Sequence, residues 1–472
     1  MRDVALTLPT HRACAPTLTE IAAEAAAAVA ADPGLRVHLL VLDSSAPADR
    51  ARHAAVLAEA VAALPAAHAD RVPVHHLDEE AQRRFLRRAV DLAGLPDPEH
   101  VLELMLPDAV SYGACTNRAF LLAAALGCRS VHRRDSDSHY QTVPGGGPAH
   151  PLVPELAHLG RTAAEVAGAV TDDARRPGHD DRRVALVGAS FIGDLSVDIA
   201  EIQDLDPEAY REVVGLWAPE GATRAERDAL AEESFRGAGT EPFRADRTTL
   251  GAVDPMRVDM CNIAFTDEVF ARVPLPPAVD TIGSDYFHTH LVHDAGLPGV
   301  LHNRHIVNFH TEERRTPQGF LGYQRRFVKF LLSMPYLNAA YAALAEAGDT
   351  LLDPAGRLRP DAVAALVREA ADLPDGERQG ARVLDLVADR YARLGDKYAA
   401  FAAALPAQAP ELLARARADT HEFARLVDAW AALVAAAPRA AADTLVTAGT
   451  LATAQDRTPS PAPGRQPIGA RA

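Results

Sequence analysis

The sequence predicts an α/β fold: a mostly parallel sheet flanked by helices, with a helical extension at the C-terminal end. Short apolar runs alternate with longer alanine-rich segments from the first residues, as in chains built from βαβ units. Alanine supplies much of the apolar content, which favours helices over an all-β design. After about residue 319 helical periodicity alone recurs, so the sheet is expected to lie before that point.

Three βα units open the chain. Each begins with an apolar run of strand length, and a segment with helical spacing follows. Pro9 ends the first strand, the second ends at Asp43, and the third is more polar. The predicted strands and helices pair as follows: 4–8 with 17–31, 37–42 with a helix that ends at Leu64, and 72–77 with a helix that begins near Glu79.

A fourth strand carries two acids one residue apart. Helical spacing over 113–126 ends at Gly127, and the chain then enters a strand that leads to Asp135 and Asp137. Alternate residues of an extended chain point to the same side, at the strand end where open α/β sheets bind ligands. Two acids that close repel each other unless one is protonated or a cation, most simply a divalent metal, lies between them. The glycine-rich segment 144–148 that follows is either a lid or a simple connection.

The remaining elements divide the chain into three regions. Further strands are predicted at 184–187, 191–199, 260–265 and 300–310, and helical segments at 206–236 and 281–296. The regions are a sheet domain over 1–318, a helical domain over 319–454 and a proline-rich disordered tail over 455–472. Breaks between helices of the second region are expected at Gly348, Pro354, 374–376, Pro406 and Pro410.

Composition excludes several classes of protein. The 64 acidic and 48 basic residues give a formal charge of -16, the wrong sign for binding a nucleic-acid backbone as the main role. The four cysteines lie far apart without a Cys-x-x-Cys pair, which argues against a zinc ribbon or a disulfide framework. No signal peptide or membrane span is predicted, so a cytoplasmic protein is expected. The oligomeric state is left open.

The ordered motifs resemble a known family of enzymes. Residues 6–12 (LTLPTHR), the strand ending at Asp43 and residues 113–119 (GACTNRA), which lead to Asp135-Ser136-Asp137, resemble the nucleotide-binding half of a GT-A-fold glycosyltransferase. Residues 261–265 (CNIAF), 283–286 (GSDY) and 307–310 (VNFH) resemble its acceptor-binding half. The likeness covers about 4–310 and implies a Rossmann-type sheet, a nucleotide-diphosphate sugar donor and a small or natural-product-like acceptor.

The resemblance also implies roles for individual residues. Asp135 and Asp137 would hold Mn²⁺ or Mg²⁺, with His310 as a further ligand, and Asp285 would be the catalytic base. A hard cation with oxygen ligands neutralises a departing diphosphate, and an added imidazole favours manganese. The residues expected to bind the nucleotide sugar are Pro9, Arg12, Asp43, Asn117, Arg118, Arg134, Asp135 and Ser136, with Thr7 near the same crevice.

Several alternatives remain at this point. Asp43 also suits a helix N-cap, the arginines suit internal salt bridges, Asp285 suits a helix start and His310 suits the core. His288, His290 and His293 form either a zinc site or a polar helix face. A nucleotidyltransferase is a rival reaction, although residues 9–13 have no glycine to hold a triphosphate. A third hypothesis, beside the glycosyltransferase and the nucleotidyltransferase, is a binding protein that keeps the fold but catalyses no reaction. The sugar, the nucleobase, the acceptor and the anomeric outcome are not predicted.

Overall fold

The computed structural model describes residues 1–193, 199–309 and 316–445. In chain order its strands are β1 (Arg2–Thr10), β2 (Leu35–Asp43), β3 (Val74–Asp78), β4 (Ser130–Arg134), β5 (Ser138–Tyr140), β6 (Asp172–Ala174), β7 (Leu186–Gly188), β8 (Phe191–Gly193), β9 (Thr248–Gly251), β10 (Asn262–Thr266), β11 (Gly299–His302) and β12 (Ile306–Asn308). Within the described ranges, nine strands form one sheet in the order β3-β2-β1-β4-β10-β7-β11-β9-β6, and β5, β12 and β8 form a second, smaller sheet.

The large sheet is parallel in its first half and mixed in its second. β1 pairs in parallel with β2 and β4, and β2 pairs in parallel with β3. Beyond β4 the pairing is mixed: β10 runs antiparallel to both β4 and β7, β7 is parallel to β11, β11 is antiparallel to β9, and β9 is parallel to β6. The predicted class, a mostly parallel sheet flanked by helices with a helical C-terminal extension, is confirmed.

The helices begin and end close to the predicted positions in the first three βα units. In chain order they are α1 (Ala15–Ala31), α2 (Pro47–Ala62), α3 (Ala66–Ala69), α4 (Glu79–Ala93), α5 (Pro98–Met105), α6 (Tyr112–Ala125), α7 (Leu152–His158), α8 (Ala163–Ala167), α9 (Ala200–Leu205), α10 (Pro207–Val214), α11 (Arg224–Glu233), α12 (Asp267–Phe270), α13 (Phe287–Asp294), α14 (Pro317–Ala347), α15 (Pro360–Ala371), α16 (Gly376–Leu394) and α17 (Asp396–Thr444). Side-chain caps fix several starts; for example, Asp78 accepts from the N–H of Ala81, Ser111 from Ala114, and Thr316 from Gly319.

The downstream predictions need correction. The strand predicted over 191–199 is only β8 within the described residues, since 194–198 lie outside them and α9 begins at Ala200. The helix predicted over 206–236 is divided into α10 and α11. The strand predicted over 300–310 is two strands, β11 in the large sheet and β12 in the small one. An apolar run predicts that a strand forms, but it does not predict in which sheet that strand pairs.

The predicted breaks at Pro406 and Pro410 are wrong, because α17 passes through both prolines without ending. Each proline removes one backbone hydrogen bond. Buried side chains along the whole helix, among them Leu405, Leu412 and Trp430, offset that loss by packing. Burial therefore decides the length of this helix against local propensity.

One continuous hydrophobic core joins the sheet to the C-terminal helices. It contains Phe85 of α4, Phe120 of α6, and Phe423 and Trp430 of α17. The indole N–H of Trp430 also donates to the carbonyl of Phe270, at 3.0 Å. The helical region that begins at α14 thus shares its core with the predicted sheet domain. The predicted disordered tail, 455–472, lies outside the described residues.

α14 is both long and apolar. With the 3₁₀ turn that follows, Pro317–Leu351 is long and apolar enough to cross a membrane, judged by length and composition. The most apolar window of this segment is 61% buried inside the protein, as expected for a core helix of a folded domain. The absence of a membrane span stays a prediction.

Candidate functional site

Asp135 and Asp137 lie just after β4, where two cavities meet. The first, which we call the strand-end cavity, lies at the carboxyl ends of β1, β2 and β4 and is lined by residues that include Pro9, Arg12, Ser44, Arg83, Arg118 and Ser136. The second, the aromatic cavity, is lined by residues that include Trp217, Phe235, Asp259, Asp285, Phe330 and Tyr341. Tyr112, Arg133, Asp135 and Asp137 line both cavities. A ligand in one cavity can therefore meet a ligand in the other at the paired acids.

Two arginines neutralise the paired acids. Arg133 donates to Asp135 at 3.1 Å and to Asp285 at 2.6 Å, and Arg12 donates to Asp137 at 2.7 Å. The Nε of Arg133 is buried and has no hydrogen-bond partner within the described parts of the chain. Both acids are paired internally, yet both face open cavities that leave room for a ligand.

Asp135 is buried among other carboxylates. Burial raises the pKa of Asp135 to about 6; Arg133 opposes this, while the carboxylates of Asp137, Asp259 and Asp285 add to it. Carboxylate oxygens at one strand end are the donors that Mg²⁺ and Mn²⁺ prefer. The donor set of Asp135 and Asp137 therefore fits the cation that the sequence predicts. The third predicted ligand, His310, lies outside the described residues.

Asp259 is a site residue that the sequence did not single out. It precedes β10, which runs antiparallel to β4 with Asn262 opposite Arg134. The beginning of β10 therefore lies at the same edge as the end of β4, which places Asp259 in the aromatic cavity. Its carboxylate accepts from the hydroxyl of Tyr286 at 2.5 Å and from the N–H of Cys261 at 2.9 Å. The sequence shows an acid just before a predicted strand, but only the antiparallel direction of that strand places the acid at the site.

Asp285 lies in the turn before α13, as predicted, and is buried. Tyr286, not Asp285, is the N-cap residue of α13, and the described contact of the Asp285 carboxylate is the one with Arg133. Gly283 shapes this turn with a φ of +71°, and a Cβ there would lie 2.8 Å from the ring of Phe330. The turn thus presents Asp285 to the aromatic cavity and leaves the helix-cap alternative without support.

Arg134 lies on the opposite side of β4 from Arg133 and contacts neither cavity. Its guanidinium donates to Glu24 and to Glu155, each at 3.0 Å, and all three side chains are buried. His132 adds a 2.7 Å hydrogen bond to Glu155. The predicted phosphate-binding role of Arg134 therefore needs correction, because neighbouring strand residues point to opposite faces and this face packs under α1 and α7. The salt-bridge alternative is the one that the geometry supports.

Asp43 is also fully buried and lies beside the strand-end cavity without lining it. His53 and His76 both donate to its Oδ2 atom at 2.8 Å, and the N–H of Ser45 donates to Oδ1. Burial alone would raise the pKa of Asp43, but these hydrogen bonds outweigh it and hold the pKa well below its usual range. The predicted nucleotide contact therefore needs correction, as does the N-cap alternative, since α2 begins after Ala46.

Asp43, His53 and His76 also place three possible metal-ligand atoms close together. The backbone N–H of Cys14 donates to Nε2 of His53 at 3.1 Å, so Nε2 is the acceptor and Nδ1 carries the proton given to Asp43. A metal at Nδ1 would require that proton to leave and Nε2 to lose its acceptor role. We assign this cluster to hydrogen bonding. It ties the β1–α1 loop to β2 and so positions Arg12.

Of the remaining residues predicted to bind the nucleotide sugar, one is held by hydrogen bonds within the fold and three line the strand-end cavity. Asn117 is buried and exchanges two hydrogen bonds with the backbone of Leu275, at 2.7 and 2.8 Å, so its expected nucleotide contact needs correction. Arg118 lines the strand-end cavity while donating to Gln82 and to the carbonyl of Met105. Pro9 and Ser136 line the same cavity, as the resemblance implies.

The histidine cluster does not form a zinc site among the described residues. Nε2 of His288 lies 2.8 Å from the carbonyl of Val273, His290 stacks on Tyr341 with ring centroids 3.7 Å apart, and Nδ1 of His293 lies 2.9 Å from the carbonyl of Val253. The three rings therefore have separate partners.

The glycine-rich loop closes on itself. The N–H of Val143 donates to the carbonyl of Gly147 at 2.9 Å, and the loop lines neither the strand-end nor the aromatic cavity. The lid interpretation of this segment has no support from its position.

Fold and site together define an α/β protein with two cavities that meet at a pair of acids on the end of a central strand. The chain belongs to the family DUF6271, described as a family of unknown function, whose model matches residues 2–446. A comparison with curated proteins finds no match. The family match spans the sheet and the C-terminal helices together, in agreement with their shared core.

Proposed function

We propose that this protein is a metal-dependent glycosyltransferase that moves a sugar from a nucleotide-diphosphate donor to a small or natural-product-like acceptor. The observation that carries the proposal is the meeting of two cavities at Asp135 and Asp137. A transferase for two substrates needs two binding spaces that share the reacting centre. The motif resemblance, from the first strand to the downstream Gly-Ser-Asp turn, supports the same reaction.

The strand-end cavity suits the donor. It lies at the carboxyl ends of parallel strands, the usual ligand position in open α/β sheets. Arg12, Arg83, Arg118 and Arg133 line it, and guanidinium groups pair well with phosphate oxygens. The unpartnered Nε of Arg133 offers one further donor to such an oxygen.

A divalent cation would be held by Asp135 and Asp137, and it would neutralise the charge of the departing diphosphate. The remaining chemistry falls to side chains of the aromatic cavity. Asp259 and Asp285 both face that cavity and are the two candidates to accept the proton of an acceptor hydroxyl. Asp285 is tied to Arg133, whereas the described contacts of Asp259 come from neutral donors.

Calorimetric titration with UDP, GDP and similar nucleoside diphosphates, each with and without Mn²⁺, tests this proposal. We expect one nucleotide to bind with an affinity at least about tenfold higher when Mn²⁺ is present, because a cation held by Asp135 and Asp137 would neutralise the charge of the diphosphate. The double variant Asp135→Asn and Asp137→Asn should lose the metal effect. Asp228→Asn, a change on α11 away from both cavities, is the matched control.

The two alternative functions, nucleotidyltransferase and non-catalytic binding protein, predict different results. If none of these nucleoside diphosphates binds in a metal-dependent way, the glycosyltransferase proposal is refuted. Release of pyrophosphate from a nucleoside triphosphate would favour the nucleotidyltransferase instead. A non-catalytic role would be supported if the native cellular product persisted in cells carrying the double variant.

A further inference from the structure

The aromatic cavity is lined by several aromatic rings. Trp217 packs against Phe235 and edge-on against Phe330, with ring centroids 5.6 and 5.1 Å apart, and Tyr323 and Tyr341 extend the same lining. Phe235 has a φ of +61°, a left-handed conformation that is unfavourable for a residue with a Cβ. The surrounding packing holds this ring in the cavity wall against a backbone preference.

Acidic side chains line the same cavity. Asp135, Asp137, Asp259 and Asp285 line it, and Arg133 is the cation that faces them inside the cavity. Arg133 pairs with Asp135 and Asp285, and Arg12 pairs with Asp137 from the strand-end side. Asp259 forms no ion pair within the described parts of the chain: its partners there are the Tyr286 hydroxyl, the Cys261 N–H and the Cys261 thiol. Its negative charge is therefore left for a ligand.

Aromatic rings and a carboxylate that line one cavity are the two features that together recognise an organic ammonium group: the rings through cation–π attraction, the carboxylate through a charged hydrogen bond. A neutral ligand would gain from the rings alone, and an anion would be repelled.

We propose that the aromatic cavity binds an organic amine cation with an aromatic or apolar body, its ammonium group held by Asp259. The identification of this amine as the acceptor rests on the proposed glycosyltransferase function, whereas its binding to the cavity does not. Trp217 lies in the cavity and Trp430, the other tryptophan, is fully buried in the core, so tryptophan fluorescence reports on binding.

Three matched probes test the proposal on the unmodified chain. Fluorescence titrations use 2-phenylethylamine, 2-phenylethanol and phenylacetate, and calorimetry repeats the measurement for a Trp217→Phe variant, which should lose the optical signal. We expect the amine to bind at least about tenfold more tightly than the alcohol, and the acid to bind most weakly. Equal affinity of amine and alcohol would overturn the proposal without any variant.

Two variants locate the ammonium group. Asp259→Asn should reduce the preference for the amine over the alcohol by about tenfold, whereas Tyr286→Phe, which keeps the carboxylate, should retain the preference. An unchanged preference in a folded Asp259→Asn variant would also overturn the proposal.

The failure of this inference is distinct from failure of the proposed function. Amine preference without metal-dependent nucleotide binding would support the cavity assignment and refute sugar transfer. Metal-dependent UDP or GDP binding without amine preference would refute the cavity assignment alone.

Discussion

Glu155→Gln is expected to destabilise the protein and to flatten its response to acid, while leaving nucleotide binding intact. Glu155 is completely buried beneath β4 and accepts hydrogen bonds from Arg134 and His132. Burial acts to raise the pKa of Glu155, but Arg134 and His132 outweigh it, so the pKa lies at about 2 instead of 4.5. The ionised carboxylate is thus favoured by the folded state.

The size of the effect follows from that difference. A folded-state pKa of about 2 against 4.5 when unfolded corresponds to about 3 kcal/mol of stability. The sign follows from the lowered pKa: the contribution is complete above about pH 4.5 and is lost as the pH falls toward 2. Replacement by Gln also leaves part of the Arg134 charge unpaired, so a loss of about 3–5 kcal/mol at neutral pH is expected.

Urea unfolding between pH 7 and pH 3 measures both quantities. The free energy of unfolding of the unmodified chain should fall more steeply with acid than that of Glu155→Gln, so the two curves should converge. Glu103→Gln, whose side chain is 78% exposed on α5, is the matched control and should run parallel to the unmodified chain. Parallel curves for Glu155→Gln would refute the reasoning. If this variant instead lost Mn²⁺-dependent nucleotide binding and kept its stability, Arg134 and its partners would be part of the ligand-binding site.

Two further predictions concern close packing and the buried histidine cluster. Gly113→Ala should lower the free energy of unfolding, measured in urea, by about 3 kcal/mol, because a Cβ there would lie 1.9 Å from the carbonyl oxygen of Pro276. Gly168→Ala is the control: a Cβ there meets nothing within 4 Å, so stability should change by less than about 1 kcal/mol. Equal effects of the two changes would contradict the packing described. His53→Ala should lower the free energy of unfolding by about 2 kcal/mol, because the hydrogen bond between His53 and Asp43 is lost. If these residues form a hydrogen-bonded pair and not a zinc site, added zinc should raise the Tm of the unmodified chain no more than that of His53→Ala. A zinc-dependent rise in Tm that His53→Ala abolishes would show a metal site.

The sequence by itself determined the local features. Apolar runs of strand length and alanine-rich helices gave the βα order, and two acids at the end of a strand identified where the cavities meet. The period of two also required Arg133 and Arg134 to point to opposite faces. These properties depend on residues close together in the chain, so they can be predicted from the printed sequence.

Only the tertiary structure decided which partners those side chains meet. Arg133 reaches Asp285 and Arg134 reaches Glu24, both more than a hundred positions away. Asp259 joined the site because β10 runs antiparallel to β4, a direction that no local pattern encodes. Long-range pairing and burial set these contacts, since a strand's neighbours and the helix that covers it depend on the packing of the whole chain.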